Sequence, residues 1–427
     1  MNRRRFSFLM SAVLFATVTA VMPSELLLGA DLQQGAQAGG PILQRGDHVV
    51  IIGDTFADRL RVYGYVETLV AARLPGFDLT FRNMGWPGDT LTLQPRPLNF
   101  GSLDEHLTQQ KADVVLACFG MSESFKGPDG AAKFESDLTA FVRHQRTQKF
   151  NGKTPPRLVL VSPIFHEPLG HPLPDPKEHN RSLQIYSEAM GRVAKKERVP
   201  LVDLFRATQA LASAEPTQKL TTGGIHLNEY GYWAVGQIIA ESLAPRPQSW
   251  RIEIDAAAGR AESTDAGVID LRADGKGVRF TVSETLLPAP SPPEGHVAPG
   301  ALAQQQSQLV VKNLKPGQYT LKVGGRTLAK GNHLQWAAGV AVTGAPGHEQ
   351  MERLRKAVAA KNDLFFQRWR APNAEYIYGR RRKPYGVQSF PPEMETLDRM
   401  IHKRDQHIWK MPKPSLDQIL GSVPPGR

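Results

Sequence analysis

Residues 48–55 read His48-Val49-Val50-Ile51-Ile52-Gly53-Asp54-Thr55, an apolar run that stops at a glycine and passes straight into a helical pattern from Phe56. β-Branched side chains favour the extended backbone, and a run without polar alternation fits a strand covered on both faces, the situation of a parallel sheet. Four further segments read as strands: Phe77 to Asn83, which alternates, and Asp113 to Phe119, Arg157 to Ser162 and Val199 to Asp203. Between them the apolar spacing predicts helices over Phe56 to Leu74, 131–145, 179–197 and 228–243. Strand and helix in alternation across about 40–245 predict an α/β unit, a parallel sheet wrapped by helices. The connections are short except around 164–178, rich in proline and histidine.

Beyond this unit the period changes. From about 247 to 345 it is two, and Trp250 to Ile254, Val278 to Val282, Leu309 to Lys312 and Tyr319 to Val323 read as antiparallel strands of a small β-sandwich. Pro288 to Gly300 carries five prolines and reads as a loop within it. After 346 the chain turns helical, most clearly over Glu349 to Arg368, and the proline-bearing tail beyond 410 reads as extended. The expected division is 1–30, 40–245, 247–345 and 346–427.

A chain of 427 residues with 41% hydrophobic and 22% charged residues has the material for two or three cored domains. Its single cysteine, Cys118, excludes an intramolecular disulfide and any zinc site built on several thiolates. It lies inside an apolar strand and reads as a buried core thiol. Of the net charge of +11, most sits in residues 351–427, which hold 16 Lys/Arg against 8 Asp/Glu. No nucleic-acid-binding signature accompanies this basic segment, so it reads as a solvated or anion-facing surface. Met1 to Ala30 reads as an export signal: Arg3-Arg4-Arg5, then the apolar stretch Phe6 to Met22, with cleavage exits after Ala20 or Ala30. The Arg-Arg-Arg-Phe order resembles a twin-arginine signal, and the alternative is an uncleaved anchor. Either reading places the body outside the cytoplasm, periplasmic or secreted. No further run has transmembrane length.

The chemistry-bearing residues collect after strands. Gly53-Asp54-Thr55 stands at a strand-to-helix junction, where open α/β sheets place their sites and where helix-capping residues also stand. Asn83-Met84-Gly85-Trp86-Pro87-Gly88-Asp89-Thr90 follows the second strand, Phe119-Gly120-Met121-Ser122-Glu123-Ser124 the third, and Gly223-Gly224-Ile225-His226-Leu227-Asn228 the fifth. In order and spacing these four pieces resemble the blocks of the SGNH (GDSL-like) hydrolase superfamily over about residues 46–243. The resemblance implies a flavodoxin-like three-layer α/β fold and hydrolysis of an ester, without a cofactor or metal. It also implies that Thr55 stands for the serine nucleophile, Gly88 for the oxyanion glycine, Ser122 for the oxyanion asparagine, Gly223 for the aspartate and His226 for the base. The Thr55 backbone N–H would join Gly88 and Ser122 in the oxyanion hole.

Only the glycine and the histidine are standard. The methyl of Thr55 restricts χ1 and crowds a tetrahedral centre. Ser122 reaches less far than asparagine, and losing one oxyanion donor costs about 10²–10³ in rate. Gly223 leaves His226 without a carboxylate to hold its tautomer. The expected protein is an exported esterase with a Thr–His dyad, acting on a small-molecule or carbohydrate ester such as a sugar acetyl group, with no nucleic-acid partner and no membrane span beyond the signal. The rivals are a non-catalytic carbohydrate-binding protein on the same fold and a structural part of the cell envelope with no ligand in the cleft.

Three further features stand apart. His166, His171 and His179 gather with Glu167 and Asp175 on the long connection, in spacings that match no familiar metal-ligand pattern and read as surface histidines. Glu123 reads either as a group for a polar ligand or as a sheet-edge carboxylate paired with an arginine. The stretch Asn362 to Arg370 is dense in aromatics and arginine, and the spacing of Phe365, Phe366 and Trp369 predicts a helix docked on the main domain. With Tyr376 to Gly379 it also resembles the tail of large secreted SGNH-type proteins of planctomycetes and related bacteria, in which the nucleophile block is often degenerate.

Overall fold

The computed structural model describes residues 41–96, 100–246, 248–274, 277–303, 307–370, 385–414 and 419–423. The leader at 1–30 and Tyr376 to Gly379 lie outside them. The first unit is a parallel sheet of five strands, β1 (His48–Gly53), β2 (Thr80–Asn83), β3 (Val114–Cys118), β4 (Arg157–Val161) and β5 (Leu201–Val202), in the order β2-β1-β3-β4-β5. β1 shows why the run lacks polar alternation. Val49 and Ile51 face one hydrophobic core and Val50 and Ile52 another, so both faces are covered.

Helices α1 (Thr55–Tyr63), α2 (Tyr65–Arg73), α3 (Leu103–Gln109), α4 (Met121–Ser124), α5 (Ala131–Thr147), α6 (Lys177–Glu197), α7 (Leu204–Ala214) and α8 (Glu229–Leu243) complete the three layers. α2 and α8 pack on one face, α5 and α6 on the other. The sheet order changes direction between β1 and β3, and their carboxyl ends open the crevice where such folds bind ligands. The single helix expected over Phe56 to Leu74 is two. Gly64 breaks it at a φ of 69°, a left-handed conformation that suits glycine, and a Cβ there would press to 3.0 Å on Val358. Apolar spacing runs unbroken through this kink, which is why periodicity alone misses it.

The second part is a sandwich of two sheets sharing one core, among whose buried members are Trp250, Ile252, Phe280, Leu309, Leu321 and Trp336. Strands β6 (Arg251–Asp255), β7 (Arg260–Thr264), β10 (Gln308–Lys312) and β13 (Val340–Ala341) form one sheet in the order β13-β10-β6-β7. The other holds β8 (Ala266–Asp274), β9 (Gly277–Glu284), β11 (Gln318–Val323), β12 (Arg326–Asn332) and β14 (Ile419–Val423), in the order β12-β11-β14-β9-β8. The expectation of antiparallel strands needs one correction, because β6 and β10 are parallel. A period of two reports one-sided burial and carries no information on direction. From β6 the chain turns back along β7 in the same sheet, crosses to β8 and β9 in the other, and returns as β10 in the sense of β6.

Helix α9 (His333–Ala338) caps the sandwich, and α10 (Pro346–Arg370) and α11 (Tyr385–Lys410) pack on the α/β unit. Phe365, Trp369 and Ile401 enter the core beneath β1 and β3, so the aromatic segment docks as its spacing predicted. Among the described residues no helix is long and apolar enough to cross a membrane.

Candidate active site

At the carboxyl ends of β1, β3 and β4 a cavity of about 120 Å³ is lined by Asp54, Thr55, Ser122, Ser162 and His226 among apolar walls that include Phe56, Phe119 and Ile164. Three separate segments thus bring Thr55, Ser122 and His226 together. Thr55 is the first residue of α1, and its N–H and its hydroxyl have no hydrogen-bond partner among the described residues. Gly88, the other assigned oxyanion residue, sits on the exposed turn after β2 and is not part of this lining.

The His226 imidazole is half-buried and makes no hydrogen bond with a described residue. Burial, aided by the positive charge of Arg59, lowers its pKa below the usual 6.5, so the ring is neutral at neutral pH. At the place of the aspartate, Gly223 adopts a φ of 152°, a backbone that side-chain-bearing residues rarely take. The missing carboxylate and the glycine-type backbone are one local feature.

The sequence marked Asp54 only as a cap. It does cap α1, accepting from Phe56 N at 2.9 Å. It is also 3% exposed in the wall of the cavity. Burial pushes its carboxyl up to about 7, and the nearby Glu123 and Asp89 add to the rise, while the Phe56 and Ser122 amides oppose it. Glu123 departs from the arginine-paired expectation. It is buried, accepts from Leu91 N and Gly120 N at 2.9 Å each, and its carboxyl is raised by burial. Cys118 is buried as expected, and burial drives its thiol well above its ordinary range.

The histidine group resolves into three different residues. His171 is exposed. His166 and His179 are half-buried and share a hydrogen bond between their Nδ1 atoms at 2.9 Å, and His179 Nε2 lies 2.9 Å from Ser124 Oγ. Burial lowers the pKa of both, that of His179 to about 4. Glu167 is buried and accepts from Leu220 N, Thr221 N and Thr221 Oγ1, so it anchors the loop that leads to His226. Among the described residues no group of three or more His, Cys, Asp or Glu is placed to hold a metal ion. Glu167 is a positioning residue that no local spacing reveals, because its partners lie more than fifty residues away.

The cavity thus brings two hydroxyls, of Thr55 and Ser122, and the neutral imidazole of His226 to one place. Residues 50–234 match the model of the GDSL-like Lipase/Acylhydrolase family, a little under half of the chain, and the sheet with its helices has the SGNH-type α/β fold. No curated protein matches the chain. Among solved structures, BT4096, a gut microbial diltiazem-metabolizing enzyme, superposes with a TM-score of 0.69 at 14% identity, covering 92% of this chain and 100% of its own. That likeness extends the shared fold across the sandwich and the C-terminal helices. A GDSL-like lipase from Parabacteroides merdae matches at 14% identity over 48% of this chain and 99% of its own, with a TM-score of 0.39. The acetylxylan esterase Axe2 from Geobacillus stearothermophilus matches at 18% identity over 47% of this chain and 95% of its own, with a TM-score of 0.37.

Proposed function

We propose that the protein is an exported ester hydrolase that removes small acyl groups, such as acetyl on a carbohydrate, by a Thr–His variant of the SGNH mechanism. The observation that carries this reading is the shared cavity, lined by the Thr55 hydroxyl and the neutral imidazole of His226, neither of which is hydrogen-bonded to a described residue. Its volume of about 120 Å³ and apolar sides suit an acyl group of a few carbons.

Thr55 Oγ1 attacks the ester carbonyl carbon while His226 takes the hydroxyl proton. The oxyanion is held by the Thr55 N–H at the start of α1 and by the Ser122 hydroxyl. Gly88 lies outside the lining and is not needed as a donor in this reading. Collapse of the tetrahedral centre breaks the bond to the alcohol, which leaves with the proton from His226. A water molecule, giving its proton to His226, then hydrolyses the acyl–threonine ester and restores both side chains. Without a carboxylate behind it, the imidazolium is stabilised only by solvent and nearby dipoles, so turnover is expected to be slow. The substituted blocks are read as a subfamily trait, and the leader at 1–30 as the route of export.

Hydrolysis of p-nitrophenyl acetate tests the reading. Thr55→Ala and His226→Ala are each expected to abolish turnover with the fold intact, and Thr55→Ser to raise it. The rate should climb with pH through a midpoint below 6.5, the side to which burial and Arg59 move His226. Unchanged turnover in either alanine variant refutes the dyad. Saturable glycan binding without turnover in any form transfers the case to the carbohydrate-binding alternative, which the lone His226 favours.

A further inference from the structure

The Thr55 cavity is graded in burial. Of its lining, Asp54, Cys118 and Ile164 are buried, Thr55, Ser122 and His226 are half-buried, and Phe125 alone is exposed, at 63%. A single exposed apolar side chain is ordinary on a protein surface. This one stands at the rim of the cavity that holds the candidate reacting groups, and it is held from behind.

Phe125 follows directly on α4, and its ring stacks on the His179 imidazole of α6, with centroids 4.3 Å apart and planes 17° from parallel. One face of the ring is therefore covered, and its exposure belongs to the other face and the edge. His179 is fixed at both nitrogens. Ser124 Oγ donates its one proton to the Met121 carbonyl at 2.7 Å, so the contact of 2.9 Å between His179 Nε2 and Ser124 Oγ has the imidazole as donor. His179 Nδ1 then accepts from His166 Nδ1, also at 2.9 Å. With such a backing the open face of Phe125 is set before any ligand arrives, which lowers the cost of binding.

A volume of about 120 Å³ is filled by a small acyl group, so the alcohol part of an ester whose carbonyl stands at Thr55 has to lie at the rim. The face of an aromatic ring is electron-rich and attracts the C–H hydrogens of a saturated ring or the edge of another aromatic one. We propose that Phe125 is a specificity-determining residue, a platform for the ring of a ring-bearing alcohol whose acyl ester enters the cavity. The placing of the alcohol rests on the ester-hydrolase reading, whereas the stacking face does not, and the test reads the two separately.

The first readout is kcat/KM on cyclohexyl acetate, phenyl acetate and acetylated methyl β-xyloside, each divided by that on methyl acetate, which has no ring. Comparing these ratios between parent and variant cancels the differences among leaving groups. In Phe125→Ala at least one ratio should fall roughly three- to tenfold, the range of an aromatic contact, and Phe125→Trp should retain it. Because Phe125 is exposed, its truncation opens no hole in the core. A fall for phenyl acetate alone marks an aromatic alcohol, and a fall for cyclohexyl acetate and the xyloside a sugar-like one. Unchanged ratios, or an equal loss on methyl acetate and the ring esters, overturn the platform and leave the hydrolase standing. The second readout needs no turnover: acetanilide, N-acetylglucosamine and N-methylacetamide are titrated by NMR into Thr55→Ala, with and without Phe125→Ala. If no ester is turned over, a loss of affinity of roughly three- to tenfold for a ring-bearing amide but not for N-methylacetamide keeps the platform and refutes the hydrolase. No turnover together with no such loss ends both.

Discussion

Asp54 carries two consequences of one position. As the residue before α1 it must cap the helix, and at the carboxyl end of β1 it is buried beside Ser122 and Cys118. Its carboxyl ordinarily titrates near 3.8 and is pushed by burial to about 7 in the folded chain. Between those values the folded state binds more protons than the unfolded one, so stability falls as pH rises from about 4 to about 7 and the penalty is complete above that range. Asn caps a helix as well as Asp does. Asp54→Asn is therefore expected to flatten this slope and to be more stable than the parent at high pH. Urea denaturation at roughly pH 4.5 and pH 8 reads the difference, and parallel slopes in the two proteins would show that Asp54 is not the titrating group.

At the scale of the element, the site depends on how the loop 220–226 is held. Glu167 sits after β4 and reaches across to Leu220 N, Thr221 N and Thr221 Oγ1, the last at 2.6 Å. Thr222 N in turn donates to the His226 carbonyl, and Glu167 N to that of Gly224. One buried carboxylate thus ties two connections and sets the height of the imidazole. Removing it leaves several buried donors without a partner, at about 1–3 kcal/mol each. Glu167→Ala is expected to lower the melting temperature by several degrees and, on the function proposed above, to reduce kcat far more than KM, because His226 is displaced while the rest of the cavity lining remains. Equal activity in a destabilised variant would confine Glu167 to the fold.

For the molecule as a whole, the C-terminal helices are part of the α/β unit's core. Lys361 of α10 is fully buried, donates to Glu67 of α2 at 2.7 Å and to the Phe81 carbonyl at 3.0 Å. Beside it Arg82 grips Asp405 of α11 through two hydrogen bonds. Trp369 stands edge-on to Trp86 at 5.4 Å, and the Arg370 guanidinium carbon is 3.4 Å from the centre of the Trp86 ring. Breaking a buried pair leaves an uncompensated charge and costs about 3–5 kcal/mol, whereas replacing both partners by apolar groups is often neutral. Lys361→Met is expected to lose that amount in chemical denaturation, and Lys361→Met with Glu67→Leu to recover most of it. A double variant as weak as the single one would mean that the pair contributes more than mutual neutralisation.

The α/β unit was legible in the chain because burial on both faces demands unbroken apolar runs, and helices between them demand their own period. His48 to Gly53 and Lys177 to Glu197 carry those demands within themselves. The block order likewise marked Thr55, Ser122 and His226, which the fold gathers into one cavity. Three things were decided only by tertiary structure. The parallel pairing of β6 and β10 depends on a crossover through the other sheet, which one-sided burial does not encode. The raised carboxyl of Asp54 depends on the depth at which β1 ends against β3. The grip of Glu167 depends on partners far away in sequence. Periodicity records which face of an element is dry, whereas a hydrogen bond or a pKa records what stands opposite, and that is settled only when the chain has packed.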